Sequence, residues 1–190
     1  MGSHMSQYSQ IKTGSLLMSE PFILDSNFRR SAILLCDHRP DGTVGFILNR
    51  PLDMNIHQLV ADFPIFESEV FFGGPVATDT IHYVHNVGEI LDGSIKVSNG
   101  IYWGGDFDKL KFLIQAELIK PNNIRFFVGY SGWDDGQLAD EMAGGTWFIA
   151  EMHANYLFKS RPSALWRQIT HNIGNNYTVI AQMPDPVCLN

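Results

Sequence analysis

The sequence predicts an α+β fold. Short apolar runs of strand composition recur along it, segments of helical period are interspersed among them without strict alternation, and Gly, Pro, Asn and Asp clusters separate the two kinds of run. Residues 31–37 contain Ala32-Ile33-Leu34-Leu35-Cys36, a continuous apolar run suited to a buried strand. Arg39-Pro40-Asp41-Gly42 is a turn signal and residues 44–48 resume the apolar pattern. Residues 31–37 against 43–49 therefore read as a β-hairpin. Asn49-Arg50-Pro51 ends the pairing, because Pro51 has no N–H for a ladder. Residues 55–63 predict a short helix with Ile56, Leu59, Val60 and Phe63 on one face, stopped by Pro64. Residues 70–72 form a short strand that runs into the breaker Gly73-Gly74-Pro75.

Residues 81–84, 95–97 and 101–103 read as further strands, the last two joined by the hairpin signal Asn99-Gly100. The clearest helix spans residues 106–118: Phe107, Leu110, Leu113, Ile114 and Leu118 share a face, Asp106 caps and Pro121 closes. Residues 124–130 are a strand. Residues 134–143 are a helix, with Asp134 and Gln137 in capping-box relation and Gly144 as a left-handed terminator. Residues 146–150 are a strand. Residues 162–173 are the last helix, with Leu165, Trp166, Ile169 and Ile173 inward and Gly174 beyond its end.

The chain has 190 residues without a composition break, of which 45% are hydrophobic and 17% charged. Residues 1–13 read as an expression scar followed by a flexible N-terminus, and residues 14–190 as one domain. Thirteen basic and twenty acidic side chains give a net charge of −7. That balance argues against direct nucleic-acid binding, which calls for a basic face. No apolar run approaches the ~20 residues of a membrane span, and no signal peptide is visible. The two cysteines make no disulfide framework. Cys36 reads as an inert buried thiol, Cys188 lies in the tail, and a reducing cytoplasm is the expected compartment.

The densest signal is the run from Gly129 to Met142, with Ser131, Gly132, Trp133, Gly136, Gln137 and Glu141 inside it. At this run the chain resembles the AlgH-like (YqgE-like) family of bacterial proteins. Four other segments carry the same resemblance: Gly14-Ser15-Leu16-Leu17 with Pro21, Asp25 and Phe28; Gly45 to Leu48 followed by Asn49-Arg50-Pro51; Gly73-Gly74-Pro75-Val76 with His85; and Leu157-Phe158 with Leu165-Trp166. The resemblance implies a β-sheet that bends and splits into a barrel-like core with flanking helices, a cytoplasmic protein, and a possible link to transcriptional regulation.

Ser131 sits where a hydrolase nucleophile would, between strand and helix. The elbow pattern Gly-x-Ser-x-Gly is incomplete, because Trp133 occupies the last glycine position. The structural alternative is a serine bonded to backbone in a tight turn. His85 is the other catalytic candidate, set against a hydrogen-bonded structural role. His82 and His85, three apart on a strand, point to opposite faces and make no chelating pair. No metal site and no cofactor is expected. Gly73-Gly74 and Gly129–Gly136 resemble phosphate-binding turns, but Asp134 and Asp135 would repel an anion and no P-loop lysine follows. Asp140 and Glu141 read as a solvated face. Arg29-Arg30 and Asn49-Arg50 are the best polar binding candidates, with an ion pair from Arg50 to Asp25 or Asp37 as the structural alternative. The leading expectation is a non-catalytic binding or regulatory protein. Its ligand is a small anion or a protein partner, met by Arg30, Asn49, Arg50, Gly73, Gly74, His85, Ser131, Gly132, Trp133 and Gln137. Arg50→Ala is expected to abolish binding with little change in stability.

Overall fold

A computed structural model describes residues 10–174 and 182–184. The expectations for residues 1–9 and for Cys188 lie outside that range. The elements, in order, are β1 Leu16–Ser19, β2 Ala32–Arg39, β3 Gly42–Ile47, β4 Pro51–Asn55, α1 Ile56–Leu59, β5 Glu69–Phe72, β6 Val76–His85, β7 Ile95–Ser98 and β8 Ile101–Trp103. There follow α2 Phe107–Gln115, a 3-10 turn Pro121–Asn123, β9 Ile124–Asp134, α3 Gln137–Ala143, β10 Trp147–Ala150, α4 Ala154–Phe158 and α5 Pro162–Ile173. The α+β expectation holds. No described helix is long and apolar enough to cross a membrane.

The strands form one ten-stranded sheet in the order β10-β1-β2-β3-β9-β6-β8-β7, with β5 paired to β9 and β4 to β5 as a branch. All pairings are antiparallel except β5 with β9. The sheet bends and splits around β9, but among the described residues no ladder joins β7 to β10. The barrel-like core implied by the family resemblance is thus an open sheet.

β9 is the pivot. Its first half lies between β5 (Val70–Phe126, Phe72–Val128) and β6 (Ile81–Val128, His85–Ile124). Its second half pairs with β3, from Gly45–Ser131 to Gly42–Asp134. The change of partner happens at Gly129, whose φ is 65°. There the β5–β6 connection crosses so closely that a Cβ on Gly74 would lie 2.2 Å from the Tyr130 carbonyl carbon. A Cβ on Gly129 would lie 2.4 Å from the Gly74 oxygen. Gly73 completes the junction: its N–H donates to Val128 O (2.8 Å), and its carbonyl accepts from Ile47 N (2.9 Å) and the Ser131 hydroxyl (3.0 Å).

Several elements differ from expectation. The strand beginning at Ile124 does not stop at Tyr130 but carries Ser131, Gly132 and Trp133 on to Asp134. Pairing with β3 supplies partners that sequence pattern does not show. Pro51 does not end pairing; it opens the edge strand β4, a place where its missing N–H is harmless. The helix expected over 55–63 is a single turn, because Val60 is already extended. The left-handed residue after α3 is Gly145 (φ 78°), one beyond Gly144. Residues 11–13, read with the flexible N-terminus, are packed: Ile11 is buried in the core and the Thr13 hydroxyl accepts the His38 N–H (3.0 Å).

Both faces of the sheet are covered, which explains the continuous apolar runs. Leu16, Met18, Leu34, Phe46 and Phe127 pack with Leu157, Leu165, Trp166 and Ile169 of α4 and α5. Their strand neighbours Leu17, Ile33, Leu35 and Ile47 face the other way, onto Leu138 and Met142 of α3. Phe126 and Tyr83 meet Leu110, Leu113 and Ile114 of α2. Glu141 does not belong to a solvated face. One carboxylate oxygen accepts from the indole N–H groups of Trp133 (2.9 Å) and Trp147 (2.7 Å), the other from Gln137 (3.0 Å). It pins α3 to β9 and β10.

The crossing predicts a sharp contrast. Gly74→Ala and Gly129→Ala should each lose at least ~4 kcal/mol or fail to fold, because backbone must move. Gly100→Ala, also at positive φ (70°) but with nothing within 4 Å of the new Cβ, should lose only about 1 kcal/mol. Urea unfolding of the three variants measures the difference, and equal losses would remove the crossing as the constraint. Glu141→Ala leaves two mostly buried indole donors unpaired and should lose roughly 2–4 kcal/mol in the same assay.

Candidate functional site

The structure separates the sequence candidates into two groups at opposite ends of the β2–β3 hairpin, roughly 25 Å apart given eight residues of β2. At the end remote from the turn, Arg29, Arg30, Asn49, Arg50, Trp166 and Arg167 line a cleft of about 410 Å³, with Ser26, Pro162 and Ser163 completing it. Four guanidinium-bearing residues converge there, and among the described residues no carboxylate lines the cleft.

Three chain segments build it. The loop before β2 supplies Arg29 and Arg30, and Arg30 adopts a left-handed conformation (φ 46°). Asn49, just after β3, holds that loop in place: its Nδ2 donates to Arg30 O (2.8 Å) and its Oδ1 accepts from Ala32 N (3.1 Å). Asn49 is therefore a positioning residue, its amide already occupied by backbone. Arg50 donates to the carbonyls of Arg29 and Asn49 and to the Ser31 hydroxyl (3.2 Å). Asp37, one of its expected partners, pairs with Arg39 instead (3.1 Å). Because Arg50 ties the loop together, Arg50→Ala will cost stability, contrary to the sequence expectation.

The third segment is the start of α5. Pro162 occupies the first helical turn and Arg161 at the N-cap makes no side-chain cap, so the positive end of the helix dipole faces the cleft. Ser163 and Arg167 are four apart and share a helix face. Arg30 lies over the Trp166 ring, 5.2 Å from its centroid, while the indole N–H donates to Ser19 O (3.2 Å). The Arg30 Nε is buried without an acceptor among the described residues. Sequence reading missed Arg167 and the helix start; only the docking of α5 through its apolar face brings them to the loop.

At the other end, Gly132, Trp133 and Gln137 border a separate cleft with Asp37, Asp41 and Tyr130. Arg39 already pairs there with Asp37 and Asp41. Trp133 is only 5% exposed, so it offers no ligand platform. Gly73 and Gly74 are filled by the strand crossing and leave no room for an anion.

The catalytic candidates are both fully buried. The Ser131 hydroxyl donates to Gly73 O. His85 bonds Gly104 O through Nε2 (2.7 Å) and accepts the Val87 N–H at Nδ1 (3.2 Å), which fixes a neutral tautomer. His82 contacts the Thr80 hydroxyl (3.1 Å) and the rings of Phe46, Trp103 and Tyr130. Among the described residues no group of three or more His, Cys, Asp or Glu is arranged to hold a metal. Burial pushes the Cys36 thiol well above its ordinary value, consistent with an inert thiol. It also draws the Arg125 guanidinium down to about 10, where that residue stacks 4.2 Å from the Phe71 centroid and donates to Leu48 O.

Burial holds His38, His82 and His85 below the ordinary histidine value. The unfolded chain then binds these protons more readily than the folded one. Stability should be flat above about pH 6.5 and should fall as pH drops from there through the depressed folded values. Urea titrations from pH 7.5 to 5 check this; His85→Asn should reduce the slope, and an unchanged slope would remove His85 from the effect.

Comparison with known proteins places the fold and the family. A family profile described as AlgH-like matches residues 16–178. A UPF0301 protein of Chlorobium limicola is 38% identical over 186 residues, 98% of this chain and 100% of that protein. A UPF0301 protein of Cytophaga hutchinsonii is 38% identical over 175 residues, 91% of this chain and 96% of that one. Among solved structures, a Corynebacterium diphtheriae protein superposes with a TM-score of 0.75 at 20% identity, covering 96% of this chain and 100% of that one. The solution structure of the AlgH protein of Pseudomonas aeruginosa gives 0.71 at 24% identity, covering 90% and 94%. The two structures share the fold, and the profile and the curated relatives carry the assignment: the chain belongs to the AlgH-like family.

Proposed function

We propose that the protein is a non-catalytic, cytoplasmic anion-binding protein. Its arginine cleft recognises a phosphate or carboxylate group, on a small molecule or on a protein partner, in a regulatory role. The observation that carries this reading is the convergence of Arg29, Arg30, Arg50 and Arg167 on one cleft, in a chain of net charge −7. Charge-assisted hydrogen bonds from guanidinium to such groups are the strong ones, and the planar fork suits both oxyanions. The start of α5 adds a positive dipole end. Among the described residues the lining holds no histidine, cysteine or carboxylate to act as base, which favours binding over turnover.

Arg167 is the clean probe, since it is exposed and makes no ion pair among the described residues. Calorimetric titration with inorganic pyrophosphate and with citrate should show binding that weakens as salt rises. Arg167→Ala should weaken it at least ~10-fold, about 1.4 kcal/mol, at an unchanged unfolding midpoint. Saturating ligand at a hundredfold excess over Kd should raise that midpoint by roughly 5–10 °C. Absence of binding to either anion, or indifference to Arg167→Ala, would overturn the reading.

A further inference from the structure

Two exposed apolar turns adjoin the arginine cleft in sequence. The first is in the loop that joins β1 to β2. Its start is tied to the segment before β10, where the Glu20 N–H donates to Thr146 O (2.9 Å). Its end is the Arg29-Arg30 pair, held by Asn49 and Arg50. Between these anchors Leu24 is 99% exposed and Phe22 is 52% exposed. Leu24 is two residues from Ser26, which lines the cleft, so their Cα atoms lie within about 8 Å of each other. The acids of the loop turn back on its own backbone: Glu20 Oε2 accepts the Phe22 N–H (3.1 Å), and Asp25 Oδ1 accepts the Asn27 N–H (2.9 Å).

The second turn follows Arg50. β4 pairs with β5 at Pro51–Phe71 and at Asn55–Glu69, with an irregularity between the two pairs. Three residues of β4 therefore stand against one of β5 and bulge. Asp53, in the middle of the bulge, is left-handed (φ 53°), and Leu52 and Met54 beside it stay exposed. Single exposed apolar side chains are ordinary. These four are set apart by their place, two to four residues along the chain from a residue of the cleft where guanidinium groups converge.

We propose that this end of the molecule docks on the surface of an anionic lipid bilayer. A lipid phosphate occupies the arginine cleft, and the turns at Phe22–Leu24 and Leu52–Met54 enter the headgroup layer. This inference rests on the anion-binding reading and names the source of the anion. Arginines near an anionic surface supply an attraction that salt screens, and apolar side chains at the acyl boundary add binding in proportion to the area they bury. In a chain of net charge −7 the arginines need that second contribution. Arginine also suits the boundary, since its stem lies along apolar surface while its head stays polar. Protruding tips favour a bilayer as the occupant, because lipid yields around a side chain whereas a folded partner must present a matching hollow.

The test uses the full chain in sedimentation with vesicles at low salt, made either of equimolar phosphatidylglycerol and phosphatidylcholine or of phosphatidylcholine alone. The protein should partition to the anionic vesicles only, and high salt should release it. Leu24→Ser should weaken that partitioning at least about fivefold, while the calorimetric affinity for pyrophosphate and the unfolding midpoint stay unchanged. Phe112→Ser, which removes an exposed ring from α2, an element outside the cleft lining, should change neither kind of binding. Arg167→Ala should weaken both. The bilayer proposal is overturned, and the anion cleft stands, if pyrophosphate binds but anionic vesicles do not, which leaves a protein partner as the occupant of the apolar turns. The same holds if Leu24→Ser weakens partitioning no more than Phe112→Ser does, or if Arg167→Ala weakens pyrophosphate binding alone. If neither pyrophosphate nor vesicles bind, both readings are overturned.

Discussion

The close approach of two backbones at Gly73-Gly74 and Gly129 governs the rest of the molecule. β9 cannot pair with β5 and β6 along one half and with β3 along the other unless the β5–β6 connection passes directly against it. Glycine at the crossing removes the side chains that would hold the strands apart, and the Gly73 carbonyl then receives both Ile47 N–H and the Ser131 hydroxyl. A local packing allowance thus becomes a topological fact: one long strand belongs to both halves of a split sheet.

The arginine cleft depends on that junction through the backbone. Phe72 N–H, at the end of β5, donates to Arg50 O (2.8 Å), so the strand that enters the crossing also holds the residue that anchors the loop before β2. Asn49 fixes the same loop from its other side, and Trp166 sets the distance of α5 through Ser19 and Arg30. The guanidinium groups gather because three rigid elements end near one another, with hydrogen bonds consumed by main chain. Supporting contacts of this kind hold like charges together without a carboxylate between them among the described residues.

Much of this was legible in the sequence, and the reasons for the rest are physical. The β2–β3 hairpin, α2 and α5 announced themselves through turn chemistry, capping and helical period, all local signals. The grouping of Arg30 with Asn49 and Arg50 at one end of the hairpin was legible because those residues flank its two strands. The extension of β9 through Ser131 and Trp133 was not, since glycine-rich composition reads as a turn unless a partner strand is known. Glu141 looked solvated because its partners, Trp133 and Trp147, lie on two different strands. Arg167 carried no local signal; its place in the cleft follows from how the apolar face of α5 docks. Site residues that depend on tertiary docking are invisible to periodicity, whereas those that flank a hairpin are not.

The order of strands also bears on how the chain is made. β1 lies between β2 and β10, with Leu16 opposite both Leu34 and Ala150. During synthesis, residues 16–19 can pair with β2 early, but their second edge waits for residues 147–150. At ~5–20 residues per second, that interval is on the order of ten seconds. For that time the nascent chain carries an apolar strand with one bare edge, alongside a half-built sheet whose pivot strand is also late. Edge strands of this kind are templates for pairing with other chains. Once β10 emerges it covers β1 and becomes the terminal strand of the open sheet itself.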